Sequence, residues 1–357
     1  MAKKKKTTVT KVITGQTPEE ARELALKELN KKMKLIKPLS EQETSVKTLS
    51  TGSLGIDLAL GRGGMAFGRT YEIFGPNSSG KSTLGMHAVI QAQRRGMRCA
   101  YFDVEQSVDP KLFEAYGVNA EELDFATIYG GEENLKSVEI LLQTGAYGVI
   151  VIDSVSALIP SAEIVADMDQ AHMATQARMM SNALKKLSPQ AAEANTLLIF
   201  VNQQRTNMNQ YSSIPVTSGG TSLGFYSTGR ISIKGPEAIG RRLKDNTGEI
   251  YGHQAIHKIE KNKLGKPFGE ATVNLIYGQG YDYWYEILQY AKSLDIIDVK
   301  GSWYKYNDEN FAQGEDSAVI ALQENEELFN SITNEVKEMT GLKEAYELHS
   351  NPGPIYS

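Results

Sequence analysis

Between about residues 44 and 282 the chain alternates two patterns: short, continuously apolar runs, and longer stretches whose apolar positions recur every three or four residues. The runs "RTYEIFG", "RCAYFDVE", "DFATIYG", "YGVIVIDS", "TLLIFVNQ" and "RISIKG" read as strands. Several are rich in β-branched residues, as expected for parallel strands buried on both faces. Helical periodicity between them predicts an α/β core with a mostly parallel central sheet. Residues 1–43 stand apart as a basic tail followed by "TPEEARELALKELNKKMKLI". There Thr17 and Glu20 make a capping box and Pro18 suits the first helical position. A lone helix has no core of its own, so it must pack on the main domain or on another molecule. From 283 to 357 the pattern shortens and becomes more charged. "WYEILQYAKSLDIID" and "ALQENEELFNSITNEVKEM" predict helices of a small α+β C-terminal domain, and "LHSNPGPIYS" a loose tail.

The first strand ends in "FGPNSSGKSTL", which places Gly75, Gly80, Lys81 and Ser82 in the G-x-x-x-x-G-K-[ST] phosphate-loop spacing. Glycines let the backbone wrap β- and γ-phosphates and turn N–H groups toward them. Lys81 adds charge, and the Ser82 hydroxyl is placed to ligate Mg²⁺. The cradle is Gly75, Pro76, Asn77, Ser78, Ser79, Gly80, Lys81, Ser82 and Thr83, and the helix after it faces the anion with its N-terminus. ATP with Mg²⁺ is the expected ligand.

In a parallel sheet, ligands gather at the carboxyl ends of strands. "YGVIVIDS" delivers Asp153 there, in the pattern that holds the Mg²⁺ shell, with Ser154 beside it. "RCAYFDVEQ" delivers Glu105, a candidate base for the water that attacks the γ-phosphate; Asp103, on the same face by alternation, lies further from the mouth. "TLLIFVNQQR" delivers Asn202 and Gln203, neutral amides able to sense phosphate by hydrogen bonding.

Composition narrows the classes. Hydrophobic residues at 41% and charged residues at 23% fit a globular domain, and no apolar run has the length of a membrane span. The single cysteine, Cys99, points to a reducing cytoplasmic compartment. A net charge of −5 means that any DNA contact comes from a local basic groove, not a global field.

The segments "STGSLGIDLALGRGG", "GPNSSGKSTL", "VIVIDSVSAL", "HMATQARMMSNALKKL", "NTLLIFVNQ", "TSGGTSLGFYSTGR" and "KNKLGKPF" resemble, in order, those of bacterial RecA recombinases over roughly residues 45 to 310. The resemblance implies a RecA-like P-loop NTPase: a DNA-dependent ATPase that forms a homo-oligomeric helical filament on single-stranded DNA. It pairs that strand with homologous double-stranded DNA and exchanges strands. By the same resemblance Glu105 is the catalytic glutamate and Gln203 couples ATP to DNA. Lys261 and Lys263 cross to the neighbouring subunit's γ-phosphate, and the N-terminal helix docks on an adjacent subunit. Two loops, about 163–173 and 204–220, match the DNA loops, with Met173, Arg178, Arg205, Tyr211, Gly219 and Gly220 as contacts. Asp109 falls in the adenine-site "DP" pair, but the stacking aromatic three residues on is Leu112, leaving Phe113 or Tyr277 to stack. Gly224 replaces a lysine, the acidic C-terminal tail of the cellular enzymes has no counterpart, and "GPEAIGRRLKDNTGEIYGHQ" is longer than usual. These departures point to a divergent member, phage-encoded forms included. A hexameric helicase shares the core but normally carries a large N-terminal helical domain. An ATP-gated coat for single strands is the rival from another class.

Overall fold

The computed structural model describes residues 17–33, 46–164, 173–205, 216–236 and 240–342. The chain divides into a unit ending at Val46 and a larger one from Lys47. In the first, α1 (Pro18–Met33) begins with the expected reciprocal cap: Thr17 N–H donates to Glu20 Oε2 at 3.0 Å and Glu20 N–H to Thr17 Oγ1 at 3.3 Å.

In the larger unit, β1 (Thr48–Leu49) pairs antiparallel with β2 (Met65–Ala66) around α2 (Leu54–Leu60). The βα alternation then runs β3 (Thr70–Gly75), α3 (Lys81–Gln93), β4 (Arg98–Asp103), α4 (Pro110–Ala115), β5 (Leu123–Ala126) and α5 (Gly131–Thr144). It continues through β6 (Tyr147–Asp153), α6 (Ser161–Ile164), α7 (Met173–Glu193), β7 (Leu197–Arg205), β8 (Val216–Thr217), α8 (Ser222–Tyr226) and β9 (Gly229–Lys234). Strands in the order β9-β3-β7-β6-β4-β5 pair in parallel, and all six runs read from the sequence lie among them. The apolar centres of β6 and β7 are wholly buried, with α5 and α7 packing Leu135, Val138, Met180 and Leu184 against Ile150, Ile152 and Phe200.

Beyond β9 the sheet turns antiparallel. Here β11 (Ile250–Asn262) pairs with β9, with β10 (Arg242–Lys244) and with β12 (Glu270–Ile276), which pairs in turn with β13 (Gly280–Tyr281). This flank is where the periodicity reading found no strands.

The C-terminal domain starts with α9 (Tyr283–Ser293) and a meander of β14 (Asp298–Lys300), β15 (Trp303–Tyr306) and β16 (Glu309–Gln313). The single helix expected around "ALQENEELFNSITNEVKEM" is two, α10 (Glu315–Glu324) and α11 (Glu326–Met339). Asn325 leaves helical geometry between them and its side chain caps the second by accepting from Leu328 N–H at 3.0 Å. The core of this domain includes Leu54, so α2 packs into it. Glu286 of α9 seals that joint by accepting from Ser53 Oγ at 2.7 Å and from the Leu54 and Gly55 N–H groups, both at 2.9 Å. Among the described residues, no helix is long and apolar enough to cross a membrane.

Candidate nucleotide site and nucleic-acid interface

Between β3 and α3 the backbone turns sharply, with Ser78 at φ 55° and Gly80 at φ 96°. Gly75 admits no side chain, since a Cβ would lie 2.3 Å from Ile233 O. Gly235, which sequence reasoning missed, is its counterpart beyond β9: a Cβ there would come within 2.9 Å of Ser79 Cα. Asn77 and Ser78 are exposed at the rim, Pro76 is half-buried, and Thr83 is buried under the loop. Lys81 folds back, donating from Nζ to Pro76 O at 2.6 Å. Burial pushes its pKa down, and the carboxylates of Asp153 and Glu105 pull it back up. Ser79 Oγ is buried without a hydrogen-bond partner. An orphaned hydroxyl, left-handed turns and a cation folded inward suit a polyanion that takes up these donors.

Asp153 ends β6, in register with Asp103 on β4. Its Oδ2 accepts from Tyr101 OH at 2.6 Å, and Ser82 bonds the same carboxylate. Burial raises the Asp153 pKa, while the bonds from Ser82 and Tyr101 hold it down. One hydroxyl and one carboxylate side by side fit Mg²⁺, which completes its shell from phosphate and water. Among the described residues no cluster of three or more His, Cys, Asp or Glu could hold a metal ion.

Glu105 lies in the turn after β4. Its Oε1 accepts from Gln203 Nε2 at 2.9 Å and from Ser154 Oγ at 2.5 Å. Asp103, the competing candidate, is buried and committed to its own loop, accepting from Val108 N–H at 2.9 Å. Asn202 is not a phosphate sensor: it is fully buried and donates to Glu72 Oε1 at 2.9 Å and to Ser218 O at 3.0 Å. Glu72 is paired in turn with Arg230, whose guanidinium also covers the Phe74 ring. Tyr101 escaped sequence reasoning, and Ser154 was placed there only beside Asp153 with no sign of its bond to Glu105, because neither has a local signature beyond its place in or just after a strand.

The residues expected around the base lie in separate surroundings. Asp109 caps α4, accepting from Lys111 N–H at 2.9 Å, and Leu112 is exposed on the same short helix. Phe113 cannot stack on a base: it is 3% exposed and wedged edge-on against Tyr101 and Phe125. Tyr277 is half-exposed beyond β12, its hydroxyl 3.3 Å from His253 Nδ1. It lines a cavity of about 390 Å³ with Tyr251, Asp282 and Trp284.

Lys261 lies near the end of β11 and Lys263 just past it, and the side chains of both reach the same stretch of backbone. Lys261 Nζ donates to the carbonyls of Gly224 at 2.6 Å and Phe225 at 3.2 Å, and Lys263 Nζ to Phe225 O at 3.3 Å. Burial, Lys263 and Arg230 push the Lys261 pKa down. Both ammonium groups therefore rest on the end of α8, beside the exposed ring of Phe225, and among the described residues neither bonds to the phosphate loop of the same chain.

With this geometry in hand, two family descriptions match the chain: RecA N-terminal domain over residues 20–282 and RecA C-terminal domain over 285–341. The chain belongs to the RecA family. It is 40% identical over 330 residues to Protein RecA of Bacillus thuringiensis (strain Al Hakam), covering 91% of this chain and 95% of that protein. It is 41% identical over 331 residues to Protein RecA of Helicobacter hepaticus (strain ATCC 51449 / 3B1), covering 91% and 94%. A solved crystal structure of the RadB recombinase superposes with a TM-score of 0.49 at 23% identity, covering 66% of this chain and 98% of that one.

In this RecA-family chain the expected DNA loops are only partly described. Glu163 and Ile164 end α6, residues 165–172 lie outside the described residues, and Met173 opens α7. Arg178 is exposed on the early turns of α7. Arg205 ends β7, its backbone paired with Val216 of β8; residues 206–215, and Tyr211 with them, lie outside the described residues. Gly219 and Gly220 have a packing reason of their own. Both are left-handed, and added Cβ atoms would meet Val155 and Met180 at 3.0 and 3.1 Å and Ala177 at 2.9 Å.

Proposed function

We propose that this RecA-family chain is a DNA-dependent ATPase that polymerises on single-stranded DNA, pairs it with a homologous duplex and exchanges strands. The observation that carries the reading is the Gln203–Glu105 bond. A base suited to activating water is tied to the strand that runs, two residues later, into the segment expected to meet DNA. Occupancy of that segment would act on Gln203 through rigid β7 backbone, which is a physical route from DNA to hydrolysis. The phosphate cradle from Gly75 to Thr83 would hold ATP, with Asp109 and Tyr277 at its base. Mg²⁺, held through Ser82 and Asp153, would neutralise phosphate charge. Gly219 and Gly220 would shape the second DNA loop, leaving phosphate contact to Arg178 and Arg205. Met173 and Tyr211 would meet bases.

The test is to coat a circular single strand with the protein and ATP, add homologous linear duplex, and resolve joint molecules on a gel. Joint molecules that need homology and ATP are expected. ATP-dependent coating with no joint molecules would replace the reading with that of a protective coat.

A further inference from the structure

We propose that Ser154 is a positioning residue for Glu105, fixing the carboxylate in the orientation from which it meets an attacking water. The inference rests on the reading of Glu105 as the base. Ser154 stands at the N-cap of a single 3₁₀ turn, Val155–Ala157, in extended geometry (φ −128°, ψ 162°). A serine in that place ordinarily turns its oxygen onto a backbone N–H of the turn. Here it makes no such bond. Its hydroxyl is directed out of the turn to Glu105 Oε1, 2.5 Å away.

Three features give that bond a function beyond filling space. First, the two ends differ in freedom. Ser154 is 1% exposed and joined to Asp153 at the end of a buried strand, whereas Glu105 is exposed on a turn where the next residue, Gln106, is left-handed at φ 51°. An exposed glutamate samples many rotamers, and a bond to a buried hydroxyl selects one. Second, Ser156 Oγ is hydrogen-bonded to Ser154 Oγ. With Ser154 donating to the carboxylate, Ser156 must donate to Ser154, and a chain of aligned hydroxyls strengthens each link. Third, Gln203 donates to the same Oε1, so Oε2 is left for the proton of the water. Gln203 belongs to the strand that leads to the second loop and can exchange its bond for one to phosphate. Ser154 cannot follow it, and remains the constant support of the base whichever partner Gln203 takes. The charges facing Glu105 are Lys81 and Asp153, both part of the phosphate and metal end of the site.

A double-mutant cycle on the full-length protein with single-stranded DNA tests this. Ser154→Ala is expected to lower kcat for ATP by about 10–100-fold, the effect of a slightly misplaced base, with KM unchanged. Ser154→Thr, which keeps the hydroxyl, should recover most of the loss. In a Glu105→Gln background the alanine substitution should cost nothing more, because a residue acting through Glu105 has nothing left to act on. An alanine variant with parental kcat would overturn the proposal. So would an equal fall in both backgrounds, or a rise in KM with kcat held, since either places Ser154 with the metal end. Should the alanine variant melt early, Ser154→Cys, close in volume and a weak donor, takes its place in the cycle. Parental turnover by Glu105→Gln alone is a different result: it removes the base itself, and the proposal falls with it.

Discussion

Gln203 donates its side-chain amide to Glu105 across 2.9 Å, joining the ends of β7 and β4 over 98 residues of sequence. The bond sets a neutral amide on an exposed carboxylate, while Asp153, one of two buried carboxylates at this end of the sheet beside Asp103, is enclosed by Tyr101 and Ser82. Glu105 and Asp153 are thus separated by environment: one open to solvent, one buried at the end of β6.

Glu105→Gln should therefore slow hydrolysis by about 10²–10⁴-fold, the usual worth of a positioned base. ATP affinity should persist, because the cradle and Ser82 are untouched. Fluorescent-nucleotide titration beside steady-state hydrolysis checks both halves, and near-parental turnover would move the base elsewhere.

Arg178 on α7 makes a different kind of claim. As a phosphate contact it should carry no base information, so Arg178→Ala should weaken single-strand binding alike for all sequences. The log–log salt slope should shrink by roughly 0.7, the share of one neutralised phosphate on a single strand. A titration of affinity against salt reads it directly, and an unchanged slope removes Arg178 from the interface.

What was legible in the chain, and what was not, follows from the range of each signal. The phosphate loop, the strand-terminal Asp153 and the Thr17–Glu20 cap are local, and local pattern is enough to read them. The 3-to-5-residue strands β14–β16 carry too few apolar alternations to stand out. The break at Asn325 is hidden because helical periodicity runs on either side of it. Phe113 looked available for stacking because nothing local reports that Tyr101 and Phe125 close around it. Ser154 is the sharpest case: its partner is 49 residues away, so its direction exists only in the folded sheet.

Glu286 gives a pH dependence with a definite sign. Burial, reinforced by Asp57, raises its carboxyl to about 7 despite the bonds from Ser53, Gly55 and Leu54. Unfolded, the same group titrates near 4.5. The folded state holds the proton more tightly, so this group's contribution is full below about 4.5 and is lost as pH rises through about 7. Glutamine cannot titrate. Melting temperatures of the parent should therefore fall more steeply between roughly pH 5 and 8 than those of Glu286→Gln. Parallel curves would show that the joint between α2 and α9 does not hold this proton.

The lysine pair leads to the strongest claim about assembly. Phosphoryl transfer calls for a cation near the transferring group beyond the loop lysine, often supplied in trans. Lys261 and Lys263 are anchored to α8 carbonyls, and the groups acting on Lys261 are Lys263, Arg230 and Glu72, not Asp153 or Glu105. Within one chain the two ammonium groups are held side by side at a half-exposed edge, where the Lys263 charge works against that of Lys261. A neighbouring subunit's nucleotide would relieve this by giving the two ammonium groups a shared anion. Lys261→Ala/Lys263→Ala and Lys81→Ala proteins should each be nearly inactive alone. Mixed on single-stranded DNA they should regain part of the ATPase, because one kind of junction joins an intact phosphate loop to an intact lysine pair. Complementation should vanish when the proteins are mixed too dilute to polymerise. A lysine-pair variant that hydrolyses ATP at the parental rate on DNA would sink the shared site, and the pair would then be no more than a brace for α8.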